Sequence, residues 1–239
     1  MSLINHLEKL VSRIQYSDRE ERILLKFVER LGLLEGDKIL DIGCGYGNKM
    51  KLLKSKGFEI LGIDVNENIV RKNIEEGLNC ITAREFGKNG GMYGLLLMSH
   101  IIEHFPPGDL CEFMDGYLDR LKPGGYLIIA TPLNCSYFHE DFDHVKPYHP
   151  TGIAMVFSGG ASQVRFTARN SLKLVDLWFR KGPYKLTFYR GLYLSKYSRF
   201  PLVLNLIFGI LFHASFGVFG KKDGWLGLYK KVGGASVLK

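Results

Sequence analysis

The run Ile39-Leu40-Asp41-Ile42-Gly43-Cys44-Gly45-Tyr46-Gly47 constrains this 239-residue chain more than any other stretch. An apolar strand ends in an acid and breaks into three glycines at alternate positions. A second apolar strand, Phe58 to Ile63, follows and ends in Asp64. Glycines let a backbone turn sharply and come close to a ligand. The acid at the end of the second strand can accept hydrogen bonds from both hydroxyls of a ribose. The pattern suits a nucleotide-like ligand lying across the first two strands of an open α/β sheet. A dinucleotide loop spaces its glycines Gly-x-Gly-x-x-Gly and holds a pyrophosphate at a helix N-terminus. Here the spacing is Gly-x-Gly-x-Gly, and Asp41 stands at the mouth. That acid would repel a pyrophosphate and attract a cation such as an α-amino group.

Strand and helix alternate beyond this point. The pattern predicts strand 38–42, a helix at about 47–56, strand 58–63, a helix at about 66–76, strand 79–82, strand 93–98, a helix at about 108–121 and strand 125–131. Such alternation implies a parallel sheet with helices on both faces. Ligands bind beyond the carboxyl ends of the strands, near the switch in strand order. Asp41, Gly43, Asp64, Ser99 and Glu103 all fall at such ends. Upstream, residues 3–31 read as two amphipathic helices, the second opened by a capping box at Ser17-Asp18-Arg19-Glu20. Downstream, Pro132 to Ser162 reads as irregular. A helix is expected from about Phe166 to Arg180, capped by Thr167 or Asn170. A sixth strand is expected at Tyr184–Tyr189 and a terminal strand at Gly224–Lys231. The chain then divides into an N-terminal helical cap (1–36), a ligand-binding core (37–135) and an acceptor-side remainder (136–239).

Two further runs complete the core. Leu95-Leu96-Leu97-Met98-Ser99-His100-Ile101-Ile102-Glu103-His104-Phe105 is a strand and the turn after it. Leu118-Asp119-Arg120-Leu121-Lys122-Pro123-Gly124-Gly125-Tyr126-Leu127-Ile128-Ile129-Ala130-Thr131-Pro132 is a helix end, a tight turn and a strand. Together with the glycine run and Ile63-Asp64, in this order and spacing, they resemble the class I S-adenosylmethionine-dependent methyltransferases over about residues 37–135. The resemblance implies a Rossmann-like, seven-stranded, mostly parallel sheet with helices on both faces. Its terminal strand would run antiparallel between strands five and six. It implies S-adenosyl-L-methionine as cofactor and methyl transfer as activity. It carries cofactor-binding roles onto Asp41, Gly43, Cys44, Gly45 and Gly47, onto Asp64 and Val65, onto Glu85 as the acid near the adenine, and onto Ser99 and His100. In the family the N-terminal helix covers the ligand site. Tyr93-Gly94 departs from the family, which has an acid opening strand four. Cys44 is expected to pack, not to react.

Methyl transfer is an in-line displacement at the sulfonium methyl, so the protein supplies alignment and, for an alcohol, a base. Histidine is the first candidate for that base. Five of the seven histidines lie in two clusters after strands four and five. His100 and His104 flank Glu103, and His139, His144 and His149 share one loop. His104 or His144 is the expected base, with Asp143, Tyr148 and His149 shaping the acceptor site. The run Asp143-His144-Val145-Lys146-Pro147-Tyr148, followed by Phe166-Thr167 and Ser171-Leu172, is similar to methyltransferases acting on bacterial polysaccharide, glycolipid or related small molecules. Alternatively, Glu103, His104 and His144 could hold a divalent metal. Small-RNA 3′-end ribose methyltransferases have a Glu-x-x-Glu-His motif at this turn, but here His100 stands at the first position, which favours a softer ion than Mg²⁺. A non-catalytic binding subunit of the same fold is a further alternative. The nearly complete cofactor motif argues against it.

The net charge is +8, and between Leu177 and Lys222 there are eight Lys or Arg and no Asp or Glu. The positive field therefore belongs to one segment. Within it, Phe200 to Gly220 carries no charged residue. A crossing of a bilayer is not expected, because Asn205, His213, Ser215 and three glycines interrupt the stretch and the strand after it must rejoin the sheet. Two readings stay open: packing against the domain or a second copy, and insertion into a membrane interface with the cations at the headgroups. Interleaving of cations with a long apolar run disfavours nucleic acid as partner. The expected partner is a small-molecule, saccharide or lipid-linked acceptor. Four scattered cysteines and the absence of a signal-like N-terminus fit a cytoplasmic protein, membrane-associated if the second reading holds.

Overall fold

A computed structural model describes residues 19–34, 36–88, 91–159, 165–186 and 199–233. The first predicted helix and the capping residues Ser17 and Asp18 lie outside them. The central strand β1 (Ile39–Ile42) is parallel to β2 (Ile60–Asp64) on one side and β4 (Tyr93–Ser99) on the other, with Ile42 opposite both Ile63 and Met98. With β3 (Cys80–Thr82), β5 (Leu121–Pro132), β6 (Ser171–Gly182) and β7 (Lys221–Val232), the sheet order is β3-β2-β1-β4-β5-β7-β6. β7 runs antiparallel to β5, with Leu228 opposite Ile128. The sheet is the one the resemblance implied. β1 is buried throughout and β4 nearly so. That is why both read as unbroken apolar runs and not as alternating ones. The order reverses between β1 and β4, so the ligand crevice opens beyond their carboxyl ends.

Helices cover the sheet: α1 (Arg19–Arg30), α2 (Asn48–Lys54), α3 (Glu67–Glu75), α4 (Ala83–Lys88) and α5 (Pro107–Leu118). Leu24, Phe27 and Val28 of α1 join Ile39, Met50, Leu53, Leu95, Leu97, Ile128 and Leu226 in the core. The described part of the predicted cap is thus a core-packing helix. The departure at Gly94 also has a structural answer. Asp37 lies against Gly94, where an added Cβ would come within 2.8 Å of the Asp37 Cγ, and its carboxylate pairs with Lys122 at 2.6 Å.

Two expectations beyond β5 are corrected. Residues 171–182 form the sixth strand, not a helix, and Tyr184 to Leu186 are coil. The rest of the expected strand at 184–189 lies outside the described residues. The helix expectation weighed the cap-like Thr167 and Asn170. The run Leu174-Val175-Asp176-Leu177-Trp178-Phe179 is equally rich in strand formers, and β7 offers it a partner. Asn170 starts no helix. Asp115 in α5 accepts hydrogen bonds from the backbone N–H of Arg169 and Asn170 and from Asn170 Nδ2, at 2.8, 3.0 and 3.0 Å. The stretch 132–162 is less irregular than expected, because it contains α6 (Ser136–Glu140) and α7 (Pro150–Phe157).

The chain divides into two compact units. One holds residues 21–178 and 224 onward, with the sheet and the glycine loop. The other holds 179–223 with, among the described residues, Arg19 and Glu20. In the second unit α8 (Arg199–Ala214) is held by Asn205, whose amide accepts from the Leu186 N–H at 2.7 Å and donates to the Leu186 carbonyl at 2.9 Å. Arg180 is not a free cation. It pairs with Glu20 and with Asp223, each at 2.8 Å. No helix among the described residues is long and apolar enough to cross a membrane.

Asp115→Ala leaves several buried donors without an acceptor, and urea unfolding should record a loss of about 2–4 kcal/mol. A loss inside experimental error would mean that the Asp115–Asn170 cluster does not anchor β6.

Candidate functional site

The loop after β1 is built from backbone hydrogen bonds to β2. Gly43 and Cys44 donate to the Ile63 carbonyl at 2.9 and 3.0 Å, and Gly45 donates to Asp64 Oδ2 at 3.0 Å. The other carboxylate oxygen of Asp64 accepts from the Asn66 N–H at 2.9 Å. Each oxygen keeps a further lone pair, so Asp64 is an oriented acceptor at the end of β2. Val65 beside it is exposed. Two glycines are required by geometry. At Gly47, with φ +70°, an added Cβ would lie 2.5 Å from Leu78 Cδ1 and 3.0 Å from Asn73 Oδ1. At Gly43, with φ +69°, it would lie 2.6 Å from Ile101 Cδ1. The turn after β4 is therefore packed directly on the glycine loop.

Asn73 went unnoticed in the sequence. It is buried on α3 and donates to the Gly45 carbonyl at 2.7 Å, tying the loop to the helix behind it. A polar residue among the inward positions of an amphipathic helix was the available signal. Cys44 and Cys80 are free, buried thiols with their sulfurs 3.5 Å apart. The hydrogen bond to Cys80, with burial, pushes the Cys44 thiol up, in keeping with a packing role. Glu85 lies in the first turn of α4, the helix that follows β3. Its Oε2 accepts from the Thr82 N–H and hydroxyl, both at 2.8 Å, which holds its pKa below the ordinary range.

Asp41 is buried at the carboxyl end of β1. Desolvation pushes its pKa up to about 6; the charge of Asp64 adds to this and that of Lys49 opposes it. A buried carboxylate is stabilised in its charged form by a cationic group brought close to it.

The acceptor side is assembled from distant segments. Glu103, fully buried in a 3₁₀ turn (Ile102–His104), accepts a hydrogen bond from the Thr131 hydroxyl at 2.9 Å on Oε2. Its carbonyl accepts from the Val145 and Lys146 N–H groups at 2.8 and 3.2 Å. Its Oε1 lies 3.3 Å from His100 Nδ1 and makes no hydrogen bond. His100 has φ +55°, unusual for a non-glycine residue, and donates its N–H to the Ala130 carbonyl at 2.7 Å. The Ser99 hydroxyl is buried without a hydrogen-bond partner.

The rings of His104 and His144 lie with centroids 4.9 Å apart. Nδ1 of His104 is 3.2 Å from the Asp143 carbonyl, and Nδ1 of His144 is 2.9 Å from the Phe138 carbonyl. A carbonyl only accepts, so both Nδ1 atoms carry a proton, which leaves Nε2 as the ring nitrogen not engaged by a carbonyl. One ligand atom each from Glu103, His104 and His144 lies within 4.8 Å of the others. Asp141 Oδ2 is 3.7 Å from His144 Nε2. Tyr148 and His149 do structural work. The Tyr148 hydroxyl donates to the Phe105 carbonyl at 2.9 Å, and the His149 ring accepts from the Thr151 N–H, capping α7. Asp143 contributes through its carbonyl. The geometry thus brings Glu103, His104 and His144 together, on and against the turn whose Ile101 packs on Gly43 of the glycine loop. His139 bonds instead to Asn134 at 2.8 Å.

A sheet of this order, with a glycine loop after β1 and an acid at the end of β2, defines the class I S-adenosylmethionine-dependent methyltransferase fold. S-adenosylmethionine is the cofactor of that class. Known proteins agree. A family model described as a methyltransferase domain matches residues 16–170, and the chain belongs to that family. A ubiquinone biosynthesis O-methyltransferase of Acinetobacter baylyi is 30% identical over 113 residues, 43% of this chain and 47% of the relative. The C-methyltransferase NovU of Streptomyces niveus is 24% identical over 159 residues, 60% of this chain and 34% of the relative. The chain spans about half the length of the ubiquinone relatives it matches. Among solved structures, a SAM-dependent methyltransferase from Archaeoglobus fulgidus superposes with a TM-score of 0.56 at 20% identity, covering 90% of this chain and 94% of that one.

Asp64→Ala should weaken S-adenosylmethionine binding by about 1.5–3 kcal/mol, the range for hydrogen bonds to a charged group; unchanged affinity in calorimetry would remove Asp64 from the site. The pH dependence follows from Asp41. Its folded pKa, about 6, lies above the ordinary 3.8. The folded state therefore holds the proton more tightly, and the cost of the buried charge grows as pH rises from about 4 to about 6. Asp41→Asn should raise the melting temperature of the cofactor-free protein at neutral pH and leave it unchanged near pH 4. Cofactor affinity of the native chain should fall as pH drops below about 6.

Proposed function

We propose that this chain transfers the methyl group of S-adenosylmethionine to an oxygen of a small-molecule, saccharide or lipid-linked acceptor, with His104 and His144 handling the acceptor proton. One observation carries the reading: two imidazoles, each with Nδ1 spent on a carbonyl, face one another 4.9 Å apart. They stand on and against the turn that packs on Gly43. In this reading Asp41 holds the cofactor's amino group and Asp64 its ribose. Glu85 lies toward the adenine, and Ser99 and His100 line the crevice wall. An acceptor hydroxyl placed in line with the sulfonium methyl would give its proton to an imidazole Nε2 as the C–O bond forms and the methyl–sulfur bond breaks, S-adenosylhomocysteine leaving as the thioether. Asp143 and Tyr148 position the loop that carries His144. Relatives named as ubiquinone biosynthesis O-methyltransferases support transfer to oxygen, whereas NovU is named a C-methyltransferase. A quinone-like acceptor would place the work at or near a lipid phase.

Labelled S-adenosylmethionine offered with phenolic, saccharide and lipid-linked acceptors should yield S-adenosylhomocysteine with at least one of them. His144→Ala should then lower kcat by about 10²-fold and leave cofactor affinity unchanged. Parallel loss of both would make His144 a structural residue. No turnover with any acceptor class would favour the binding-subunit alternative.

A second reading has its own support in Glu103. Its carboxylate and the two imidazoles form a two-histidine, one-carboxylate set with one ligand atom from each within 4.8 Å of the others, and both Nδ1–H groups rest on carbonyls as metal-bound histidines usually have them. Such a set suits Zn²⁺, Mn²⁺ or Fe²⁺ better than Mg²⁺. The imidazoles would then be ligands, and the ion would acidify the acceptor hydroxyl. Under this reading a chelator abolishes turnover and Mn²⁺ or Zn²⁺ restores it; turnover indifferent to chelation excludes it.

A further inference from the structure

Apart from Arg199, Asn205 and His213, α8 is apolar, yet only one side is covered. Asn205, Gly209 and Phe212 are buried. Phe200, Val203, Ile207 and Ile210, spaced three and four residues apart on another face, are exposed. A helix that is hydrophobic all round is normally buried all round. The turn that ends it repeats the anomaly. Gly217 N–H bonds to the Phe212 carbonyl at 2.8 Å and Phe216 N–H to the His213 carbonyl at 3.1 Å, closing the helix. The residue in the left-handed conformation is Phe216, with φ +52°, where such turns normally place glycine. Phe216 is 91% exposed and Val218 80%. The turn thus takes a disfavoured backbone conformation and presents a bare aromatic ring to the outside.

The charges around this apolar surface have one sign. Of the eight cations between 177 and 222, Arg180 is neutralised by Glu20 and Asp223. Lys181 reaches the Gly217 carbonyl at 3.5 Å and so flanks the turn. Lys185, Lys221 and Lys222 are exposed, and the segment contains no carboxylate side chain to offset them. We infer that the 199–222 segment docks on an anionic lipid bilayer, with the exposed face of α8 and the Phe216–Val218 turn in the interface and the lysines at the headgroups. A second copy fits less well, because a two-fold contact through this surface sets like charges against each other. Nucleic acid would meet the lysines and leave the apolar face bare. The helix is about 24 Å long, short of the roughly 30 Å hydrocarbon core, so it lies along the interface.

The full chain is tested by co-sedimentation with phosphatidylcholine vesicles, with and without phosphatidylglycerol. It should pellet with the anionic vesicles, weakly with the neutral ones, and less at high salt. The double variants Phe216→Ser/Val218→Ser and Lys185→Glu/Lys221→Glu should each reduce anionic-vesicle affinity by about tenfold or more. Neither should alter melting temperature or S-adenosylmethionine affinity, since all four side chains are exposed. The inference is overturned by no binding to anionic vesicles, by equal binding of wild type and variants, or by equal binding to both lipid compositions. It is also overturned by a dimer in light scattering that the Phe216/Val218 variant dissociates while vesicle binding is absent.

Discussion

Glu103 has no exposed surface, and three segments of chain meet at it. Its side chain takes the Thr131 hydroxyl from the end of β5. Its carbonyl takes two backbone N–H groups from the loop that follows β5. A buried carboxyl group without partners costs free energy, so these bonds are what make the position tolerable. They also bring His144, forty residues later, to within ring contact of His104. Together with the Tyr148 hydroxyl on the Phe105 carbonyl and His104 Nδ1 on the Asp143 carbonyl, they fix the loop after β5 against the turn after β4.

The cofactor side is held differently. Gly43, Cys44, Gly45, Ile63, Asp64 and Asn66 are bonded mostly through the main chain. Backbone groups change little with side-chain substitution, which suits a loop that meets an invariant ligand. The acceptor side depends on side chains and on loops beyond the sheet. That division matches a fold in which one cofactor serves many acceptors. Ile101 against Gly43 is the physical join between the two sides.

The glycine loop and the first five strands were legible because each signal is local, while the order of the sheet came from the family resemblance. A buried parallel strand is a short apolar run, and its end is marked by Gly or Asp. β6 was misread because a cap-like Thr167 and Asn170 preceded a run that could satisfy either period. Asp115, more than fifty residues away, takes the N–H groups that a helix start would have used. α6 and α7 were missed because at five and eight residues they are too short to show a period. Tyr148 and His149 were placed at the acceptor site by their position in the histidine-rich loop; only tertiary structure shows that Tyr148 also anchors that loop and His149 also caps α7.

Residue order carried the alternating α/β pattern and the motifs whose family resemblance implied the fold and the cofactor, since spacing of glycines and acids along the chain is a one-dimensional property. It also marked the apolar, cationic segment at 177–222, because composition needs no coordinates. Which histidines face each other, which carboxyl group is buried among them and which side of α8 is left bare were decided only by tertiary structure. Those are relations between residues forty or more positions apart, or between a helix face and its cover. They are set by hydrogen bonds at Glu103, Asp115 and Asn205 whose partners the local pattern does not name.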